Sequence, residues 1–400
     1  MKRAVGILLS LLLFFSIASP YYTIVVGYAS SNEKEFAIKS SVKFTALGQA
    51  WNFTEEEKAI SLYMNNSWQT VYLINSSQPF ETVKTDKDGN AIAILNLSQA
   101  KVGTSAEYNV FYQVVSKPRA LPSIDENTAL SLSDIPHNLT EPYLSNSGTW
   151  MTNNSKLKTQ AELLAGSETN VLVVVENFVS WMWGKIKYPN STNPAVSHEV
   201  PLNPNETLSY KEGDCDDQAI LLISLCRVVG IPAYLQMGCI YMPSQNDATP
   251  SPAWNGTIEN IQIHIGWHGW AMVYIPPWGW LPVDLTYSSR GSPLDAIKTA
   301  GVTSQDTIQY MNIIKTDYVN EARQYRSFLI NNNFRIQAYD EIIPERGTDP
   351  FGFILDSLMQ YVLIMLLLAG VVAIFTVVLL YIRWIRKKTG RGSMNSNSPL

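Results

Sequence analysis

Apolar and polar residues alternate with a period of two along much of residues 32–117. The runs are Phe36-Ala-Ile-Lys, Val42-Lys-Phe-Thr, Ala59-Ile-Ser-Leu-Tyr, Thr70-Val-Tyr-Leu-Ile, Ala91-Ile-Ala-Ile-Leu and Tyr108-Asn-Val-Phe-Tyr. That period sends successive side chains to opposite faces, so each run reads as a strand. Asp86, Lys87, Asp88, Gly89 and Asn90 make a strong hairpin turn. The expectation is an antiparallel β-sandwich over 32–117. It reads as a spacer and stability domain, because no convergent polar set is present.

The pattern changes at residue 118. Pro118–Asn154 is rich in Pro, Ser and Asn and reads as a link into a second domain, 118–344. Helical patterning follows at Thr159–Leu164 and Asn170–Lys187. The second of these carries Val171, Phe178, Trp181 and Trp183 and is too apolar for a surface helix. Lys211–Gly230 reads as one buried helix: Asp214 is a good N-cap and Asp217 completes a capping-box pattern. Gly230 supplies a left-handed stop and Pro232 prevents continuation. Cys215 then sits in the first turn. Ile240–Asn260 is polar and irregular, and reads equally as a loop over a cleft or a solvated insertion. Two short strands follow around Pro276-Pro277-Trp278-Gly279, forming a hairpin. Residues 292–344, with a helical stretch at Tyr318–Leu329, close the second domain.

Both ends are apolar. Lys2 and Arg3 precede an apolar run from Ala4 to Ala18, which predicts a signal peptide or, if uncleaved, a signal anchor within 1–31. After a linker at 345–356, residues 357–382 are uncharged and long enough to cross a bilayer as a helix. Arg383, Arg386, Lys387, Lys388 and Arg391 follow, so 383–400 is expected as a basic cytoplasmic tail. Membrane lipid is the partner this implies, through one helix. Nine Asn-x-Ser/Thr sequons lie between the apolar ends: Asn52, Asn65, Asn75, Asn96, Asn138, Asn153, Asn190, Asn205 and Asn255. Their confinement fits glycosylation of an extracytoplasmic region.

Composition narrows the classes. A net charge of -5 over 400 residues gives no reason to expect nucleic acid. Three cysteines are too few for a disulfide scaffold. An oxidising setting would permit one bridge, Cys226 to Cys239, although Cys226 also suits a core position.

The chemistry concentrates at Cys215. Unpaired backbone N–H groups at a helix start favour a thiolate, while Asp214, Asp216 and Asp217 oppose it. A cationic histidine is needed nearby. Folding the hairpin about its Pro/Gly turn brings His268 close to Asp284, near enough for the carboxylate to orient the imidazole. The set is nucleophile, base and orienter. His264 is a rival base, lacking the same relation to Asp284. A zinc site from Cys215, His264, His268 and the aspartates matches no closed ligand spacing. Asp216, Asp217 and Asp247 lack calcium-loop spacing. No metal and no cofactor are expected. Trp267, Trp270, Trp278 and Trp280 read as packing, with Trp270 a candidate wall of the substrate cleft.

At these residues the chain resembles the transglutaminase-like superfamily. GDCDDQAILLISLCRVVGIPA is similar to its cysteine-helix signature, and HGWAMVYIPPWGWLPVDLT to its His-strand and Asp-strand signature. The resemblance covers roughly 121–286 and implies a papain-like α+β core using Cys, His and Asp in that order, in a membrane-anchored prokaryotic member. Tyr188, at the helix end before the cysteine segment, is a candidate for the oxyanion site. Tyr234, Gly269 and Leu285 depart from the family pattern without touching the triad. The implied activity is acyl transfer on peptide amides at the cell surface, with hydrolysis favoured over crosslinking. A catalytically silent binding module is the rival.

Overall fold

The computed structural model describes residues 32–146, 148–189 and 200–344. In chain order the strands are β1 (Lys34–Ala46), β2 (Ala59–Ser61), β3 (Gln69–Ser76), β4 (Phe80–Thr85), β5 (Ala91–Leu95), β6 (Ser105–Ser116), β7 (Ala233–Ala253), β8 (Ile258–Ile275), β9 (Gly279–Val283), β10 (Thr307–Ile313) and β11 (Phe334–Pro344). The longer helices are α1 (Ser155–Ala165), α2 (Val171–Lys185), α3 (Pro204–Tyr210), α4 (Cys215–Val228) and α5 (Tyr318–Asn332). The class is α+β. An eight-stranded sheet runs β10-β7-β8-β11-β1-β6-β3, with β9 also on β8, and a three-stranded sheet runs β2-β5-β4.

Local signals account for the helices. Asn154 and Asn170 cap α1 and α2 by accepting from the backbone N–H groups of their first turns. In α4, Ala219 to Arg227 is buried throughout, as its unbroken apolar pattern requires. Gly230 then turns left-handed at φ 87°, and Ile231 N–H returns to Cys226 O at 2.9 Å. Side chains of α1, α2 and α4 pack with β7, β8 and β9 in one apolar cluster.

Strand β8 organises the rest. One edge pairs with β7 along most of its length. The other edge is divided: Ile258–Ile263 pairs parallel with β11, and Ala271–Ile275 pairs antiparallel with β9. His264 lies between the halves at φ 55°, where the β7–β8 register also shifts.

Two expectations are corrected by this sheet. The strands of 32–117 do not form a sandwich of their own. Strand β1 pairs with β6 on one side and β11 on the other, so the N-terminal strands continue the sheet that carries His268. A side-chain amide network fastens the junction. Gln69 Oε1 accepts from Gln309 N–H at 2.8 Å, and Gln69 Nε2 donates to Gln309 O at 2.7 Å. Gln309 Nε2 donates to Gln236 Oε1, and Gln236 Nε2 to Asn312 Oδ1, each at 2.8 Å. The expected β4–β5 turn forms, and its Asn90 exchanges two bonds with the Asn312 backbone. The second correction concerns Ile240–Asn260. It is no irregular loop: β7 and β8 run on through it as a paired arm, closing in a turn at residues 254–257.

Among the described residues no helix is long and apolar enough to cross a membrane. The expected signal segment 1–31, linker 345–356, span 357–382 and tail 383–400 lie outside the described residues, as does Asn190.

Candidate active site

The site forms where α4 starts against β8. The Asp217 carboxylate closes the helix start, accepting Leu202 N–H at 2.6 Å and Asp214 N–H at 3.2 Å. This fixes Cys215 in the first turn, half-buried. Its sulfur takes hydrogen bonds from the backbone N–H groups of Gly269 and Asp216. Gly269 follows His268, so the sulfur lies beside the His268–Gly269 peptide. A Cβ at Gly269 would come within 2.9 Å of Met237 Sδ and 3.2 Å of Asp216 Cβ, which makes a small residue necessary here.

His268 is buried opposite Gly238 of β7. Its Nε2 lies 2.8 Å from Asp284 Oδ2. With Nε2–H committed to the carboxylate, Nδ1 is the acceptor of the neutral ring. Asp284 is itself held from several sides. Oδ1 accepts Thr286 N–H at 3.1 Å and Tyr287 N–H at 2.9 Å, and Oδ2 accepts Gly301 N–H at 3.2 Å. Burial pulls its carboxyl upward, but the bonds and charge of His268 and the backbone N–H groups outweigh it. The group ends below its ordinary value and stays ionised.

The cysteine side has the opposite balance. Burial, then the charges of Asp216 and Asp214, push the Cys215 thiol well up, against the two backbone hydrogen bonds. Burial and Asp214 likewise push Asp216 well up, although Tyr318 O–H donates to Asp216 Oδ2 at 3.0 Å. Asp217 is pushed up to about 7 by burial and Asp216. Cys215 therefore rests as a thiol. Attack then requires the proton to leave sulfur for Nδ1 as the bond forms.

The sequence profile of the transglutaminase-like superfamily matches residues 158–285. The match spans about a third of the chain, and over it the chain is similar to that superfamily. Solved structures with low similarity include a suspected cysteine protease from Cytophaga hutchinsonii, at 16% identity and TM-score 0.48, covering 80% of this chain and 93% of that one. The periplasmic domain of TgpA from Pseudomonas aeruginosa, bound to ethylmercury, has 17% identity and TM-score 0.32, covering 65% and 96%. Red sea bream transglutaminase has 9% identity and TM-score 0.26, covering 63% and 48%. No curated protein matches the chain.

Within the matched residues His268 and Asp284 pair directly, and Cys215 lies against the peptide that follows His268. For Tyr188, burial first and then the charges of Cys215, Asp214, Asp216 and Asp217 raise the phenol, and its side chain is exposed. Trp270 is fully buried, its ring centroid 5.7 Å from that of His268. It shelves the imidazole from inside and walls no open cleft. Gly238 permits this, since a Cβ there would meet the Trp270 ring at 2.7 Å. His264 is displaced by its bulge and stacks edge-on toward Tyr241. Cys226 and Cys239 are free thiols, buried in separate apolar clusters, so Cys226 takes the core position and not the permitted bridge.

Of the described sequons, Asn52, Asn65, Asn75, Asn96, Asn138, Asn153 and Asn255 are exposed and Asn205 is half-buried. Ligand atoms of Asp214, Cys215 and Asp216 lie within 4.8 Å of one another, so a cation there would engage the thiol itself. Two contributors went unread in the sequence. Tyr318 reaches Asp216 from α5, and Tyr287 stands edge-on to His268 with centroids 5.9 Å apart. Tyr287 carried a signal, being an aromatic residue just beyond Asp284. Tyr318 carried none.

Proposed function

We propose that this chain is a membrane-anchored, extracytoplasmic cysteine hydrolase that cleaves peptide amide bonds through a thioester intermediate. The observation that carries the reading is the buried His268–Asp284 pair at 2.8 Å, joined to Cys215 through the Gly269 N–H. Cys215 attacks the amide carbonyl while His268 Nδ1 takes its proton. The imidazolium returns that proton to the leaving nitrogen, and water then releases the acid. Asp284 holds the ring and stabilises its cationic form. Tyr188 donates to the developing oxyanion in this reading, which the action of the Cys215 charge on its phenol supports. The apolar segment 357–382 with its basic flank supports the anchor, and the exposed sequons support an extracytoplasmic, glycosylated setting. The partners are a peptide or protein substrate at the cell surface and membrane lipid, without nucleic acid.

The raised Cys215 thiol favours a second reading, a silent binding module of the same fold. Transfer of the acyl group to an amine is a further variant of the same chemistry. Labelling separates these. In detergent-solubilised full-length protein, iodoacetamide should modify Cys215 ahead of Cys226 and Cys239, and His268→Ala should slow it about 10-fold or more. Release of free acid supports hydrolysis, and incorporation of an amine donor supports crosslinking. An unlabelled Cys215 in folded, reduced protein would leave only the binding module.

A further inference from the structure

A concavity of about 560 Å³ is lined by Tyr287, whose ring stands edge-on to His268 with centroids 5.9 Å apart. Tyr287 is fixed there because its ring packs on Gly301, where a Cβ would come within 2.2 Å of Tyr287 Cδ1. Hydroxyls line the space, and their protons are already spent. Ser288 Oγ donates to Asp284 O at 2.6 Å, and Thr303 Oγ1 donates to Ala300 O at 2.7 Å. Thr299 Oγ1 donates to Asp295 O at 2.8 Å, so its 2.9 Å bond with Ser289 Oγ must be donated by Ser289. A hydroxyl has one proton to give. Ser288, Ser289 and Thr303 therefore offer acceptor lone pairs. Lys298 lines the same space and offers N–H donors.

A group suited to this lining must donate and accept at once. A carboxylate would meet lone pairs at three hydroxyl oxygens, and an ammonium would meet Lys298. An apolar side chain would leave all of them unpaired. A carboxamide satisfies both sets, its NH₂ on the hydroxyl oxygens and its carbonyl on Lys298. We propose that this concavity is a substrate subsite taking an Asn or Gln side chain of the peptide whose amide Cys215 attacks. The inference rests on the reading of Cys215 as nucleophile. The carboxamide is not the bond attacked: neither Cys215 nor His268 lines the concavity. Tyr287 and His268 have centroids 5.9 Å apart and an extended chain advances roughly 3.4 Å per residue, so the positions to vary are those within two residues of the scissile bond.

The test is a peptide library, varied at two positions on each side of the scissile bond, with full-length solubilised protein. At one position Asn and Gln should exceed Leu, Asp and Lys about 10-fold in kcat/KM. Ser289→Ala, Thr303→Val and Lys298→Met should each cut that preference several-fold, and Thr303→Ser should restore it. Thr299→Val should act in the same direction by releasing the Ser289 hydroxyl. Equal rates for Asn, Leu and Asp peptides overturn the subsite, as does a preference that survives Ser289→Ala with Thr303→Val. A preference for Asp abolished by Lys298→Met also overturns it, leaving a simple cationic contact. Failure of wild-type Cys215 to label is a different result: it removes the nucleophile and the subsite's premise together.

Discussion

The molecule has two large apolar cores, and they are closed in different ways. The first, around Phe178, Leu222 and Ile223, gathers helices α1, α2 and α4 against β7–β9. Its main buried cation is Arg227, which donates to the carbonyls of Ala233, Ser145 and Ile314 and lies 4.2 Å over the Trp150 ring. The second gathers Ile38, Trp51 and Val114 with Phe334 and Ile342. It is built on aromatic stacking, with Trp51 and Phe334 parallel at 4.2 Å, and is bordered by the amide network. The first core draws on the middle of the described chain, from Ile124 to Val319. The second joins the first strands of the described chain to the last. Its assembly therefore waits on long loop closures, and its register is fixed by polar bonds as well as by apolar burial.

The sharpest way to break this contrast is to truncate each core in turn. Phe178→Ala and Trp51→Ala should each cost roughly 3–5 kcal/mol in urea unfolding. Both should leave a single transition by fluorescence and by circular dichroism. A separate early transition in Trp51→Ala would show that the N-terminal strands unfold alone, against the shared sheet. Next in size is Gln309→Leu, which removes the side-chain partner of Gln236 Oε1 and of Asn66 Nδ2 and should cost about 1–3 kcal/mol. A neutral result would mean that the network only decorates the junction.

The smallest effect is in pH. Glu176 is pushed up to about 7, by burial first and then by Glu126, with Lys298 opposing. Asp217 is also pushed up to about 7. For both, the folded state binds the proton more tightly than the unfolded chain. Their contributions favour folding at low pH and decline as pH rises from the ordinary carboxylate range through 7. Asp284 acts in reverse: its lowered value stabilises above the ordinary range and is lost as pH falls through the folded value. Glu176→Gln should therefore raise Tm more at about pH 8 than at about pH 5. An equal gain at both would indicate a simple packing effect.

The sequence carried much of the candidate site because its parts are local. Asp214 and Asp217 close one helix turn, Gly230 ends that helix, and a three-residue turn spaces β8 from β9. His268 and Asp284 are separated by 16 positions, a distance that one hairpin spans. The misread portions depended on pairing between remote segments. The alternation in 34–46 announced a strand, yet nothing in it named β11 as a neighbour. Trp270 and Trp267 look alike along the strand, but Trp270 is fully buried, whereas Trp267 keeps some exposure and reaches Asp340 from β11.

By itself, then, the sequence determined the cysteine at a buried helix start, the His–Asp hairpin, most strands and the helix caps. Each is encoded by residues a few positions apart through periodicity, capping and turn chemistry. Tertiary structure alone decided that the N-terminal strands extend the His268 sheet and that Cys226 and Cys239 stay apart. It also brought Tyr287 onto Gly301 and Tyr318 onto Asp216 across 102 positions. Such contacts depend on which surfaces meet after the elements form, and no local pattern carries that choice.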